Sequence, residues 1–173
     1  MKKPAGITIA MFAVLLLSTC ILYINNDLGI PKAKLEADAR SSQRIDAEWL
    51  CESAVSDSMA AFICYPEDKT DHTFSLYVNR PGISFGYFFR AGGDLTGYGK
   101  YISDYRVEGF NQRAFISMNE VGAVRLEIDD GNTFQTIPLE ANKPIALILP
   151  INAGSVIFYN ANDEPIETII RNV

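Results

Sequence analysis

The segment MAAFICYPEDKTDHTFSLYVN at residues 59–79 indicates the fold class of this chain. Residues 59–65 form a short apolar run, and the polar residues PEDKTD separate it from a second run at residues 73–79. In the second run, Phe74, Leu76 and Val78 alternate with more polar neighbours, which is the period of a half-buried strand. The segment therefore predicts two β-strands joined by a turn.

The same pattern continues towards the C-terminus. Further strands are predicted at residues 83–89, 101–107, 113–118, 123–129, 133–139, 145–149, 155–159 and 166–170. Short strands at intervals near ten residues predict a mainly β fold, namely an antiparallel β-sandwich (or barrel) of about nine short strands. Residues 129–132, DDGN, carry the Asp-Gly signal of a two-residue hairpin. Residues 144–151, PIALILPI, predict a central strand buried on both faces.

The N-terminal part predicts a membrane anchor. Lys2 and Lys3 precede an uncharged run at residues 4–24, PAGITIAMFAVLLLSTCILYI. As a helix rising about 1.5 Å per residue, this run is roughly 30 Å long, which matches the hydrocarbon core of a bilayer. The two lysines favour a cytoplasmic N-terminus. We therefore expect a single-pass transmembrane helix that acts as a signal-anchor in the cell membrane, with the C-terminal domain extracytoplasmic.

Two other interpretations of this run remain open. Residues 17–20, LSTC, are similar to a lipobox whose Cys20 is lipidated, and an ordinary secretory peptide would be cleaved. The length of the run and the lack of an A-x-A-like site favour the uncleaved anchor. All three interpretations place the rest of the chain on the same side of the membrane.

The pattern predicts three regions. They are a cytoplasmic tip and anchor at residues 1–24, a polar exit and stalk helix at residues 25–55, and an extracytoplasmic β domain at residues 56–173. Residues 32–53 contain neither Gly nor Pro and are rich in good helix formers. A thin apolar stripe runs from Leu35 to Trp49 at helical spacing. We expect the first half of this helix to be a solvated spacer and the second half to pack on the domain, with Trp49 as a packing residue.

The charge balance excludes one class of partner. The chain has 15 basic and 21 acidic residues and a net charge of −6. Nucleic-acid binding needs a basic patch, and recognition of anionic lipids needs a polybasic stripe. Neither pattern is present in the sequence, so we expect no nucleic-acid partner, and the acidic balance is typical of a soluble surface.

Cysteine usage agrees with an extracytoplasmic domain. Cys51 and Cys64 are expected to form a disulfide in an oxidising compartment, joining the stalk helix to the sheet. Closing a loop of about 14 residues stabilises a fold by roughly 3 kcal/mol in the chain-entropy estimate. The alternative is a pair of buried thiols. With one distant histidine, these cysteines give too few ligands for zinc, so no metal or cofactor is expected.

The sequence provides little support for catalysis. His72 is the sole histidine, and neither a G-x-S-x-G elbow nor a P-loop occurs. No catalytic residue is therefore assigned. Paired carboxylates remain an open alternative because their spacing is set in three dimensions. Calcium at residues 129–132 is disfavoured because the spaced oxygen ligands of an EF-hand are missing.

Residues 90–112 are the candidate recognition surface. This segment combines glycines, aromatic residues and both signs of charge, as binding loops on a β scaffold commonly do. The candidate binding residues are Arg90, Asp94, Tyr98, Tyr101, Tyr105 and Phe110. The alternative is that the tyrosines line strand faces and the glycines only turn the chain.

Several stretches carry a resemblance to a known group of proteins. These stretches are ISFGYFFRAGGDLTG at residues 83–97, RAFISMN at 113–119, RLEIDDGN at 125–132 and KPIALILPINAGSVIFYNAND at 143–163. Across residues 65–163 the chain resembles small membrane-anchored extracytoplasmic β-domain proteins of Gram-positive bacteria, which have no established activity. The resemblance implies a location in the bacterial cell envelope and transfers no binding residue.

These features together predict a membrane-anchored binding module. Its expected partner is an envelope protein or a wall polymer such as a polysaccharide. Two alternatives from other classes remain, a small cell-surface hydrolase that uses clustered carboxylates and a structural subunit of a membrane complex.

Overall fold

The computed structural model describes residues 5–25, 27–80, 82, 85–95 and 101–173. It contains helix α1 (Ala5–Ile24), a single 3-10 turn (Lys32–Lys34) and helix α2 (Leu35–Gln43). The strands are β1 (Leu50–Val55), β2 (Met59–Tyr65), β3 (Thr73–Asn79), β4 (Tyr87–Gly93), β5 (Ile102–Arg106), β6 (Gln112–Ser117), β7 (Ala123–Asp129), β8 (Phe134–Pro138), β9 (Ile145–Pro150), β10 (Ser155–Asn160), β11 (Pro165–Ile166) and β12 (Thr168–Asn172). Within these described ranges, no helix is long and apolar enough to cross a membrane.

The described strands pair into three four-stranded sheets. The first sheet has the order β1-β2-β3-β4, the second β12-β5-β6-β9 and the third β11-β10-β7-β8. Neighbouring strands are antiparallel except β12 and β5, which are parallel. The mainly β, antiparallel prediction is confirmed, but the sandwich or barrel is not.

Alternating side chains place the second sheet against both of the others. On β6, Ala114 and Ile116 belong to an apolar cluster shared with β2 and β3 of the first sheet. Phe115, on the opposite face of β6, belongs to a cluster shared with β7 and β10 of the third sheet. A strand apolar on both faces is the pattern expected for a sheet covered on both sides.

Two finer predictions about the strands are wrong. Residues 144–151 were expected to form a central strand, but β9 is at the edge of the second sheet. The apolar character of β9 has another reason, because Ala146 and Ile148 pack against one cluster while Leu147 and Leu149 pack against the other. The β7–β8 hairpin is present, but Asp129 pairs with Phe134, so its loop has four residues rather than two.

The predicted stalk helix is also wrong beyond Gln43. Arg44 adopts a left-handed conformation with φ of 57°, its N–H donates to the Ser41 carbonyl, and the Ile45 N–H donates to the Arg40 carbonyl. This pair of bonds is the Schellman arrangement that ends helices, usually with glycine at the left-handed position. The remaining residues up to Trp49, which is half-buried, form turns, and strand β1 begins at Leu50.

The first half of the predicted stalk is packed rather than solvated. Leu35 is 1% exposed and Ala39 is 0% exposed, and both contact a cluster on the outer face of the first sheet that includes Phe62 and Tyr77. The Tyr77 hydroxyl donates to the Asp38 carboxylate at 2.8 Å. Helix α2 is therefore a covering layer of the first sheet and not a spacer.

The disulfide is confirmed, although it links different elements from those expected. Cys51 on β1 and Cys64 on β2 are direct partners in the antiparallel register, with Cα atoms 4.1 Å apart. Because β1 begins within the region predicted as helix, the bond joins two neighbouring strands of the first sheet instead of a helix and a sheet. Cys20 remains a free, exposed cysteine on α1.

Candidate functional site: an arginine-lined groove

Arg90 and Phe110, two of the predicted binding residues, line the same cavity. The cavity is about 300 Å³ and lies where β4 of the first sheet meets the segment after β5 of the second. A neighbouring cavity of about 480 Å³ shares Arg90, Val107 and Glu108 with it. We call the two together the groove. Its lining residues are Val78, Arg80, Phe88, Phe89, Arg90, Arg106, Val107, Glu108, Phe110, Asn172 and Val173.

Strand β4 presents Arg90 to the groove through a break in its ladder. Tyr77 on β3 pairs with Phe89, whereas Leu76 pairs with Ala91, so Arg90 is an extra residue without a partner in the register. Such a β-bulge bends a strand and changes the direction of a side chain, and bulges are frequent next to functional sites. Phe89 and Arg90 are consequently both exposed on an otherwise alternating strand.

Arg106 reaches the groove from a cluster of charges between the second and third sheets. Asp104 is 2% exposed, and its Oδ2 accepts hydrogen bonds from Arg106 Nε at 3.1 Å, Arg106 Nη2 at 2.7 Å and Arg113 Nη1 at 3.2 Å. Two arginines thus share one aspartate, which leaves the cluster with an excess positive charge. The charge-assisted bonds hold the Arg106 guanidinium in a fixed orientation.

The same cluster contains buried polar atoms that lack a hydrogen-bond partner. Within the described part of the chain, Asp104 Oδ1 and Arg113 Nε are buried without a hydrogen-bond partner. The Arg113 guanidinium also lies 5.0 Å from the centre of the Phe115 ring, a cation–π contact that offsets part of this cost. The shared carboxylate of Asp104 joins this buried pair to Arg106.

Aromatic rings form the rest of the groove wall. The Arg80 guanidinium lies over the Phe88 ring, 4.2 Å from its centre, so one cation is stacked on the wall of the groove. Phe89 is 48% exposed, and Phe110 is partly buried against the core. Glu108 is the one acidic residue among the described lining residues. The groove therefore combines three guanidinium groups with apolar ring surface.

Three of the other predicted binding residues lie outside the groove. Tyr105 is 7% exposed in the core, and its ring centre is 4.9 Å from that of Phe74, so it presents little surface to a ligand. Tyr101 is partly buried, and its carbonyl accepts a hydrogen bond from the Ser117 hydroxyl. Asp94 is exposed, with its carboxylate 3.1 Å from His72. Tyr98 lies outside the described residues.

His72 has a structural contact rather than a place in the groove. Its Nε2 accepts the Leu95 backbone N–H at 3.0 Å and lies next to the Asp94 carboxylate. Leu95 is 2% exposed in the core, so this bond ties the end of the β4 segment to the turn before β3. No group of three or more potential metal ligands occurs among the described residues.

A third cavity bears on the hydrolase alternative. It is about 200 Å³ and contains Glu52, Glu140 and Lys143. Lys143 Nζ lies 3.4 Å from Glu52 and 3.7 Å from Glu140, and the Glu52 charge raises the lysine pKa. Burial likewise raises the pKa of Tyr65, which neighbours Glu52. Both glutamates of this cavity are thus paired with the same ammonium group, so the cavity is lined by an ion-paired cluster.

The acidic turn at residues 129–132 is held by its own side chains. The Asp130 carboxylate accepts hydrogen bonds from the backbone N–H groups of Asn132 and Thr133 and from the Thr133 hydroxyl. These bonds lower the Asp130 pKa. The carboxylate is therefore engaged in shaping the β7–β8 loop.

Sequence reasoning did not identify Arg80, Asp104 or Arg113 as part of the site. Arg80 lies just after β3. Asp104 on β5 and Arg113 on β6 come together only because these two strands pair. One signal was present in the sequence. Asp104 and Arg106 share a strand face with the core residue Ile102, and charged residues on an apolar face indicate a buried ion pair or a site.

The comparisons add no relative: no protein-family model, curated protein or solved structure matches this chain significantly. The function must therefore be inferred from the groove and from the N-terminal helix alone.

Proposed function

We propose that this protein is a single-pass, membrane-anchored, extracytoplasmic binding module whose groove binds an anionic polymer of the bacterial cell wall. The observation that carries the proposal is the groove itself. In a chain of net charge −6, three arginines converge on adjoining cavities, with one acidic residue among those lining side chains that the structure describes. Guanidinium groups recognise phosphate and carboxylate oxygens bidentately, and ring surface favours the apolar parts of a ligand.

The shape of the groove favours an extended ligand. The two cavities share residues of β4 and of the segment after β5, so they adjoin one another on the surface. Cavities of about 300 and 480 Å³ fall in the range of sites for small molecules or a few polymer units. A polymer with regularly repeated anions would contact Arg90 and Arg106 at once. A protein segment rich in acidic residues is the other source of such charge, and a titration with each ligand separates the two.

The anchor in this proposal is α1. Val14, Leu15, Leu16 and Leu17 are consecutive and each 59–70% exposed, so the helix is apolar on every side, as a membrane-spanning helix is. The side chains of α1 are described from Thr8 onward, but the uncharged sequence begins earlier, at residue 4. An uncharged run of this length supports the proposal that α1 spans the hydrocarbon core.

The two hydroxyl groups of α1 also suit a lipid environment. Ser18 Oγ donates to the Val14 carbonyl, and Thr19 Oγ1 donates to the Leu15 carbonyl, both at 2.8 Å. Polar groups inside a bilayer have to be satisfied within the protein. These bonds let both residues lie in lipid without an unpaired donor.

The test is a binding measurement with purified full-length protein in nanodiscs. Wild type and the Arg90→Gln variant are titrated with a soluble phosphodiester wall polymer and, separately, with an acidic peptide of equal charge. Loss of one charge-assisted bond costs about 1.5–3 kcal/mol, so Arg90→Gln should weaken polymer binding by roughly tenfold or more. Binding should also weaken at high salt, because exposed charges are screened.

Arg125→Gln provides the matched control. Arg125 pairs with Glu127 and Asp163 and belongs to β7 in the third sheet, away from the groove. This variant should bind the polymer as wild type does. Equal affinity of wild type and Arg90→Gln would refute the groove as the binding site. Preference for the acidic peptide over the polymer would instead indicate a protein partner.

A further inference from the structure

We propose that Leu28 and Phe85 dock into the interface of the bilayer that holds α1, so that the β domain lies on the membrane surface in a fixed orientation. This inference rests on the proposed function, because it takes α1 as the anchor. It replaces the polar exit and solvated helical spacer expected between anchor and domain with a rigid connection. The lipid interface itself then covers the exposed apolar surface of these two side chains.

Backbone hydrogen bonds fix the segment after α1 to the start of β4. The Phe85 N–H donates to the Asp27 carbonyl at 2.8 Å, and the Gly29 N–H donates to the Phe85 carbonyl at 2.6 Å. Ile30 and Tyr87 exchange two further bonds, of 2.8 and 2.9 Å. The chain is thus paired with the first sheet from Asp27 onward, three residues after the end of α1.

Two glycines allow this pairing. A Cβ on Gly29 would lie 2.6 Å from the Tyr87 carbonyl oxygen, and a Cβ on Gly86 would lie 2.8 Å from the Ile30 carbonyl oxygen. Both distances are too short for a real side chain, so the close approach of the two backbones requires glycine on each side. Gly86 also has a positive φ of 89°, which other residues rarely adopt. The connection is therefore specified by the sequence.

The bridge exposes apolar side chains close to the end of the anchor. Leu28 is 44% exposed, Phe85 is 59% exposed, and the two residues are paired in one isolated bridge. Leu28 follows Ile24, the last residue of α1, by four residues, a distance of at most about 14 Å when fully extended. Tyr23, 75% exposed in the last turn of α1, is a residue type enriched at membrane interfaces.

Proximity to the anchor selects lipid as the occupant. With α1 in the bilayer, a surface within about 14 Å of its outer end lies at the depth of the headgroups or just above them. Exposed apolar area there gains free energy by entering the interface, at about 25 cal/mol per Å² removed from water. The bilayer is continuous with α1, so no separate binding partner is needed.

The test uses full-length protein with Cys20→Ser, carrying one introduced cysteine labelled with a polarity-sensitive fluorophore. The label replaces Phe85 in one variant (Phe85→Cys) and Leu28 in another (Leu28→Cys). Phe134→Cys is the matched control, because Phe134 is similarly exposed, at 63%, but belongs to β8 of the third sheet. The proteins are reconstituted in phosphatidylcholine–phosphatidylglycerol vesicles with or without acyl-chain brominated lipid.

Brominated lipid should quench the labels at positions 85 and 28 and leave the label at position 134 unchanged. Equal quenching at all three positions, or none at 85 and 28, would overturn the docking. Extraction of the same vesicles with alkaline carbonate separates the two proposals. Protein that resists extraction but shows no quenching at 85 and 28 retains the anchor and refutes only the docking. Protein that is extracted refutes the anchor, and the docking with it.

Discussion

Replacing Leu35 with alanine tests whether α2 is a layer of the domain or a stalk. Leu35 is 1% exposed and packs with Ala39 on the cluster that contains Phe62 and Tyr77. Full burial of a leucine contributes about 1.5–3 kcal/mol, and the cavity left by truncation adds to the loss. We therefore expect Leu35→Ala to lower the free energy of unfolding by about 3 kcal/mol. In a solvated stalk the same change would cost less than about 0.5 kcal/mol.

The assay is urea unfolding of the full chain in nanodiscs, followed by the fluorescence of Trp49, the single tryptophan. Leu50→Ala is the matched control, because Leu50 is 50% exposed at the start of β1. Its unfolding midpoint should remain close to that of wild type. If Leu35→Ala and Leu50→Ala shift the midpoint equally, the packing of α2 on the first sheet is refuted.

Three other sites give independent checks. Asn119→Ala removes three side-chain bonds, two buried ones to Ala123 and a partly buried one to the Glu140 carbonyl. It should cost about 3 kcal/mol in urea unfolding, and Asn119→Gly, which suits φ of 58°, should cost less. Burial raises the Tyr77 pKa, so above about pH 10 only the unfolded chain loses the Tyr77 proton, and the free energy of unfolding falls as the pH rises. In Tyr77→Phe this decline should be shallower by about 1.4 kcal/mol per pH unit. Identical slopes for wild type and variant would contradict the raised pKa of Tyr77. Reducing Cys51–Cys64 should lower stability by about 3 kcal/mol, whereas a Cys51→Ala/Cys64→Ala variant should not respond to reductant.

Local periodicity was sufficient to locate most strands. The predicted bounds of β2, β3 and β7 agree with the structure, because a short apolar run, as in β2, or an alternation of apolar and polar residues, as in β3, carries the strand signal within a few residues. The division into three sheets could not be predicted in the same way. Which strand pairs with which depends on residues far apart in sequence, as in the pairing of β6 with β9 or of β5 with β12.

The end of α2 could not be predicted from the sequence for a different reason. Helix ends are recognised from glycine or proline, and residues 32–53 contain neither. The left-handed position is occupied by Arg44, which has a β-carbon and gains no local stability there. The turn is supported by contacts with the next residues of the chain, because Arg40 donates to the carbonyls of Asp46 and Trp49 and thereby leads the chain into β1. Contacts with the residues just beyond the helix thus override the helical propensity of this segment.

The candidate site was found as a segment but not as a set of residues. Glycine and aromatic content marked residues 90–112, and Arg90 and Phe110 do line the groove. The same composition also marked Tyr105, whose ring faces the core, because alternation on β5 places it on the face opposite Asp104. Composition does not distinguish the two faces of a strand, so the tyrosines could not be sorted without the register.

Strand β4 links the two proposals physically. Its first residue, Tyr87, exchanges hydrogen bonds with Ile30 in the segment that leaves α1, and Arg90 in its bulge lines the groove. Three residues of strand separate them, which is about 10 Å. If α1 spans the bilayer, the groove is then held close to the membrane surface with no tether to extend its reach. An anionic polymer that binds at Arg90 must therefore lie near the membrane, as a membrane-attached polymer does. Lengthening the segment between α1 and Asp27 should leave affinity for soluble polymer unchanged and alter only the capture of membrane-attached polymer.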